Sequence, residues 1–440
     1  MYWLQRNCFI GVVLGATLFC SLGVFALEFE PGVGAGLEYT DNAALTPDNE
    51  DSDLIAIGYL GARIEDDSGP LYGHATTSLS YNHYTENTFS DKYYFNLRAD
   101  AGWRMIENRL EWQLQNYFTQ QSINSLDANT PNNTQNTNAF SFGPNIYFPL
   151  SGPHAFTLRP LYRDFYYENS DTDNQQYALQ AAWTYKMYRT LDVGLVGEVA
   201  RVKYDDDQLY PNYTSKTLHL ALSGRRVSSE YTLNLGATSI DRERSDNFEG
   251  FTGNLTWLIN LTGRSSIRAR VVSELTDTST NLLNASARPE DGDFSNEQIS
   301  GDVLRNNTIR VAYAMEGSTL NSDIWAELRK LDYKESNQDR DTQTFGVELD
   351  YKISELLSSG IYGRYDRIKE TDVDRTDKRY KVGGTLSYQL SRKLRSVLDL
   401  RYWKKDSTLD TAEYTEVSAL VSLVYGFGQV SRPSRGGGGY

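Results

Sequence analysis

Basic side chains recur in this chain at alternate positions of apolar–polar runs, a spacing that lines them up on one face of an extended strand. Arg98, Arg104, Arg159, Arg163, Arg268, Arg270, Arg310, Arg329, Arg364, Arg379, Lys381 and Arg401 all fall on the wetter parity, among acids such as Asp100, Glu198, Glu327, Glu348, Asp366 and Asp399. Two kinds of chemistry suit that set. Cross-strand ion pairs would stiffen a water-facing wall. Alternatively, because arginines outnumber acids on this face while the chain as a whole is acidic, the row could guide an anionic solute. Tyr72, Tyr94, Tyr117, Tyr147, Tyr167, Tyr362 and Trp403 are also assigned to the inward face. Their rings could stack on sugar faces, and packing against a loop folded over them accounts for the same residues equally well.

Signals for catalysis are poor. His74, His83, His154 and His219 are dispersed, and although His219 and Ser223 share a strand face, residues four apart on a strand are too distant for a catalytic hydrogen bond. The Asp-rich segments Asp48–Asp53, Asp171–Asn174, Asp205–Asp207 and Asp372–Asp377 lack the spacing and glycine of a calcium loop and read as solvated loops, so no metal and no cofactor is expected. A net charge of -15 argues against a nucleic-acid partner.

The elements that must position these side chains are strands. Leu71, Gly73, Ala75, Thr77, Leu79 and Tyr81 interleave with Tyr72, His74, Thr76, Ser78, Ser80 and Asn82, giving one apolar and one wet face. Tight polar connections near Asp66–Pro70, Ile106–Arg109, Pro149–His154, Tyr188–Thr190, Arg225–Ser229, Thr262–Ser265, Glu316–Leu320, Ser354–Leu356 and Ser391–Leu394 recur mostly about every 37 residues, the length of one hairpin with a short turn and a longer loop. The expected fold is therefore all-β: a closed antiparallel transmembrane β-barrel of about 20 strands (about 18 to 22), short turns and both termini on the periplasmic rim, long loops on the other. Tyr93, Phe95, Leu97, Ala99, Ala101 and Trp103 should face lipid, as should Tyr177, Leu179, Ala181, Trp183 and Tyr185 and the run Phe251 to Leu261. Parity is hardest to assign over Asp53–Glu65, apolar on both faces, and over Asp323–Tyr333. Gln121–Asn136 and Asp277–Asp302 lengthen two loops and are the candidate inward-folding gates.

Mean hydropathy of -0.54 leaves no apolar run long enough for a membrane helix after the amino terminus. Residues 1–26 read as a signal peptide, with Arg6, the apolar stretch Cys8–Phe25 and the small-residue pattern of Val24 and Ala26 before a cleavage point after Ala26. Both cysteines lie inside it, so the mature chain has no thiol. The barrel is expected over 27–427 and a flexible periplasmic Gly-rich tail over 428–440. The last run, Val417 to Phe427, ends on Tyr425 and Phe427 and resembles the closing-strand signal read by barrel-assembly machinery.

The mature amino terminus carries a more specific likeness. Glu30, Pro31, Gly32, then Leu37 to Asn42, Leu45, Pro47 and the pair Ser52, Asp53 resemble the opening of the outer-membrane β-barrel porins encoded with bacterial exopolysaccharide or PEP-CTERM gene clusters. The resemblance implies a bacterial outer-membrane location and a channel exporting a secreted or capsular polysaccharide. The expected partners are the polymer, periplasmic export components, the barrel-assembly machinery, and outer-membrane lipid including lipopolysaccharide. A general or anion-preferring diffusion porin and a structural or adhesive surface barrel are the alternatives.

Overall fold

The computed structural model describes residues 27–286 and 299–430. The signal-peptide reading and residues 431–440 of the tail lie outside them. The strands are β1 Glu28–Thr40, β2 Asp53–Asp66, β3 Leu71–Tyr84, β4 Lys92–Ile106, β5 Leu110–Ser122, β6 Thr134–Pro149, β7 His154–Tyr167, β8 Asn174–Tyr188, β9 Leu191–Tyr204 and β10 Tyr213–Arg226. They continue as β11 Ser229–Arg242, β12 Phe248–Asn260, β13 Ser265–Asp277, β14 Val303–Glu316, β15 Leu320–Tyr333, β16 Arg340–Lys352, β17 Leu357–Glu370, β18 Arg375–Gln389, β19 Leu394–Ser407 and β20 Tyr414–Gly426.

Each strand pairs antiparallel with its neighbours in sequence, and β1 pairs with β20 from Gly32↔Gly426 to Thr40↔Ser418, which closes one 20-stranded barrel with no free edge. All nine tight connections fall where the sequence predicts them, on one rim that also carries the first and last strand ends. The lipid face is as expected: Tyr93, Tyr177, Leu179, Phe251, Trp257, Val421 and Tyr425 are exposed on the outside. An Arg or Lys there would cost about 2 to 4 kcal/mol at mid-depth, which is why the charge in these strands sits on the other parity.

In β2 both parities are apolar because both faces are covered. Leu54 and Leu60 point outward, while Ile55, Ile57 and Tyr59 pack inside against Tyr84, Leu420, Val424 and Val430. Val430 corrects the start of the expected tail. After β20 the chain turns through Gly426 and Gly428, at φ 83° and 92°, a backbone region that favours glycine. Gly428–Val430 then fold against the inner wall, with Val430 over Gly34 and Gly36.

The long loops also differ from expectation. Gln121, Ser122 and Thr134–Asn136 belong to the β5–β6 ladder, paired Gln121↔Gln135 and Ser122↔Thr134, so the loop between them spans only 123–133. Asp277 ends β13, and the connection after it opens with helix α1, Thr278–Ser286.

Candidate functional site

The inward parity builds the lumen wall, and its arginines are mostly engaged. Arg163 lies 3.4 Å from Glu198, and Glu327 is shared by Arg310 at 3.4 Å and Arg329 at 3.0 Å. Arg364 pairs with Asp366 at 2.9 Å and Arg401 with Asp399 at 2.8 Å. Arg98 stands 3.9 Å from Asp100, which also accepts from Tyr117 at 2.7 Å and Gln115 at 2.9 Å. Arg159 donates to Gln113 at 2.7 Å. Arg270 sits opposite Arg310 in register, and with Arg268, Ser266 and Asp323 they line a cavity of about 200 Å³. Lys381 faces Arg364 across β17–β18.

Two of the predicted aromatic platforms are parts of the wall. The Tyr72 ring covers Gly102, where a Cβ would come within 2.2 Å of it, and Arg104 stacks on that ring at 4.1 Å while its hydroxyl bonds Glu111 at 2.6 Å. Tyr362 covers Gly383 in the same way and donates to Asp399 at 2.8 Å. Glycine opposite each ring is required by that close approach. Tyr94, Tyr117 and Trp403 face inward but are buried, so they do not line an open path in this state.

Loops cover them. The 123–133 loop is braced internally: Asn133 donates to the Asn124 carbonyl at 2.8 Å, Asn124 donates to Asp127 at 2.8 Å, and the Leu126 amide donates to the Asn124 side chain at 3.0 Å. Its tip crosses to the far wall. Arg340 donates to the Ser125 hydroxyl at 2.6 Å, Arg379 to the Ser125 carbonyl at 3.4 Å, and Arg375 and Lys405 to the Leu126 carbonyl at 2.7 and 3.2 Å.

Helix α1 folds inward as well. Asp277 caps it, accepting from the Thr280 amide at 2.8 Å, and is held by the Tyr213 hydroxyl at 2.5 Å. Leu282 and Leu283 pack on Tyr117, Ala139, Phe165 and Tyr167, while Ser279 accepts from Tyr167 at 2.9 Å and from Asn174 at 2.8 Å. The 123–133 loop and, of the second candidate gate, the described helix Thr278–Ser286 therefore lie inside the barrel.

A third loop joins them: Leu45, between β1 and β2, packs with Trp403, Tyr414 and Ala128. The run that carries the amino-terminal resemblance anchors this loop at the closure seam. Asn42 is buried and donates to the Thr46 and Thr415 carbonyls at 2.8 and 3.0 Å, Thr40 donates to Glu416 at 2.6 Å, and Asp41 accepts from the Val417 amide at 2.8 Å.

Burial is graded along the axis. Near the short-turn rim the inward pair Arg63 and Glu65 is 47% and 37% exposed, whereas beneath the loops Lys405 is 1% exposed. Inward-folded segments pack at the long-loop end, and the wall is wet at the other.

Sequence reasoning missed Arg340, Arg375 and Lys405. Arg375 shares the parity of Arg379 and Lys381, and Lys405 that of Arg401 and Trp403, so longer strands would have found both. The histidines engage separate partners, among them Asp100 at 3.3 Å from His74, Asp91 at 2.9 Å from His83 and Thr252 at 2.8 Å from His219. On the long-loop rim, burial and the nearby carboxylates Asp205, Asp164 and Asp171 push the Asp173 carboxyl up to about 7, against the opposing hydrogen bond from the Tyr167 amide. No group of three or more metal-type side chains converges among the described residues.

Residues 340–427, which are β16 to β20 and the first residue after them, match the family model described as "Putative beta-barrel porin 2". No curated protein matches the chain. Among solved structures, the FrpB iron transporter of Neisseria meningitidis (F3-3 variant) is similar at 7% identity and TM-score 0.49, over 93% of this chain and 83% of that one. OccK2 of Pseudomonas aeruginosa is similar at 8% identity and TM-score 0.39, over 91% and 98%. The copper transporter OprC is similar at 10% identity and TM-score 0.45, over 92% and 81%. The closed antiparallel barrel, its apolar belt and the porin match place the protein in the bacterial outer membrane.

Proposed function

We propose that this outer-membrane β-barrel channel exports a secreted or capsular exopolysaccharide, with its short-turn rim in the periplasm and its long loops outside. The observation that carries the reading is the position of the stopper. The braced 123–133 loop and α1 fill the long-loop end, while the inward wall is solvent-exposed at the short-turn end. A chain arriving from the periplasm meets wet wall first and the loops last, so the closure lies where export needs a gate and keeps external solutes out between transport events.

The amino-terminal resemblance supports the polysaccharide class. Tyr39 to Asn42, its most specific part, forms the seam that anchors the Leu45 loop against the 123–133 loop, so the run belongs to the closure apparatus. Periplasmic export components would deliver the polymer, and barrel-assembly machinery would read the end of β20 around Tyr425 and Phe427.

An anion-preferring diffusion porin is the second reading, favoured by the Arg268, Arg270 and Arg310 group. Planar-bilayer recording separates the two. For an exporter, acidic oligosaccharide added on the short-turn side produces discrete, length-dependent changes in current, and the same addition on the long-loop side does not. A steady current indifferent to polymer on either side overturns export and leaves the porin.

A further inference from the structure

We infer that the basic pocket beneath the 123–133 loop is an oxyanion site whose occupation releases the loop, so that a carboxylate or phosphate group in the lumen opens the barrel. The inference rests on the channel reading above and adds the ligand that operates it.

Arg340, Arg375, Arg379 and Lys405 converge there from three strands, and all are at least nine-tenths buried. Two carboxylates are ion-paired with them: Glu370 with Arg340, and Asp377 with Arg375 at 2.9 Å and Lys405 at 3.0 Å. Arg379 stands directly opposite Lys405 in register, a like-charge pair, and makes no ion pair among the described residues. Its other cross-strand neighbour, Asp366, is turned to Arg364 at 2.9 Å and Thr344 at 2.7 Å. The Arg379 Nε is buried with no hydrogen-bond partner. A guanidinium presents a fork that matches two oxygens of a carboxylate or phosphate, and a full negative charge on the acceptor adds ion–ion attraction that a neutral carbonyl lacks.

What occupies the position of such an anion is loop backbone. The Ser125 and Leu126 carbonyls accept from Arg379, Arg375 and Lys405 as neutral dipoles. An oxyanion reaching this pocket from the lumen competes for the same donors with a full charge and forms the stronger bonds. It displaces the carbonyls, and with them the hold of the loop on the far wall. An acidic polymer would thus unlatch its own gate.

The test is single-channel recording on the full-length mature protein in planar bilayers, with three probes: oligogalacturonate, inorganic phosphate and neutral maltodextrin. Opening by oligogalacturonate but not by maltodextrin supports the site, and opening by phosphate too identifies a free oxyanion as sufficient. Arg379→Gln should raise the oligogalacturonate concentration for half-opening at least tenfold, and Arg379→Lys by less, in protein whose heat-modifiable gel migration shows a closed barrel. A barrel opened equally by maltodextrin, or not opened by either anion, overturns the inference. A companion protein with residues 124–132 replaced by a short Gly-Ser link separates the two claims: if it conducts while anions fail to open the parent, the oxyanion site is wrong and the gated channel stands, and if a form that also lacks α1, the second inward segment, is closed too, the channel reading falls.

Discussion

The carbonyl oxygen of Leu126 lies 2.7 Å from the Arg375 guanidinium, although the two residues are 249 positions apart. Leu126 belongs to the loop between β5 and β6 and Arg375 opens β18, with β4, β3, β2, β1, β20 and β19 between them along the shorter way round. One bond therefore ties opposite walls of the lumen together. A hydrogen bond to a charged group contributes about 1.5 to 3 kcal/mol, enough to hold a closed loop closed.

Arg375→Met removes that tie while Asp377 keeps Lys405 at 3.0 Å and Ser407 at 2.6 Å. The open fraction of the channel should rise on the order of 10- to 100-fold, the factor that about 1.5 to 3 kcal/mol represents. Single-channel open probability reads it, and an unchanged value would detach the Leu126 bond from gating.

Gly383→Val should weaken the barrel. A Cβ at Gly383 would lie 2.3 Å from the Tyr362 ring and 2.7 Å from the Leu400 carbonyl, so the tyrosine must leave the wall. Overpacking of this kind costs about 1 to 3 kcal/mol. The temperature of the heat-modifiable gel shift should fall, and Tyr362→Ala combined with Gly383→Val should recover part of the loss.

Leu179→Arg and Gln180→Arg are neighbours in sequence on opposite faces. Leu179 is exposed to lipid, and Gln180 bonds Glu198 at 3.1 Å inside. Urea unfolding from vesicles should show a loss of about 2 to 4 kcal/mol for the first and little change for the second. Equal losses would refute the assigned parity of β8.

Asp173 gives the long-loop rim a pH dependence. Its carboxyl, raised by burial to about 7, binds its proton more tightly folded than unfolded, where about 3.9 is usual. Its contribution to loop stability is therefore full below about pH 4 and is lost as pH rises through about 7. Hydrogen-exchange protection over residues 168–174, corrected for the base-catalysed intrinsic rate, should fall between pH 5 and pH 8, and Asp173→Asn should flatten that fall.

The barrel was largely legible in the sequence, because a strand with lipid on one side and water on the other must alternate, and a tight turn must be polar. Strand number, the short-turn rim and the outward runs follow from that rule. The rule fails wherever the inner face is not wet. β2 reads ambiguously because Ile55, Ile57 and Tyr59 meet Val430 rather than water, and Tyr117 and Trp403 look like accessible platforms until the inward segments above them are seen. The pocket of Arg340, Arg375, Arg379 and Lys405 was illegible for a related reason: its loop contacts join residues more than two hundred positions apart, and no local pattern records such a meeting.

The central claim, a resting barrel closed at its long-loop end by its own inward segments, is tested most directly by comparing the conductance of the unmodified protein with that of the variant in which a Gly-Ser link replaces residues 124–132. The structure predicts a small or absent current for the first and a sustained, larger current for the second. A full current through the unmodified protein, unaltered by removing the loop tip, would contradict it.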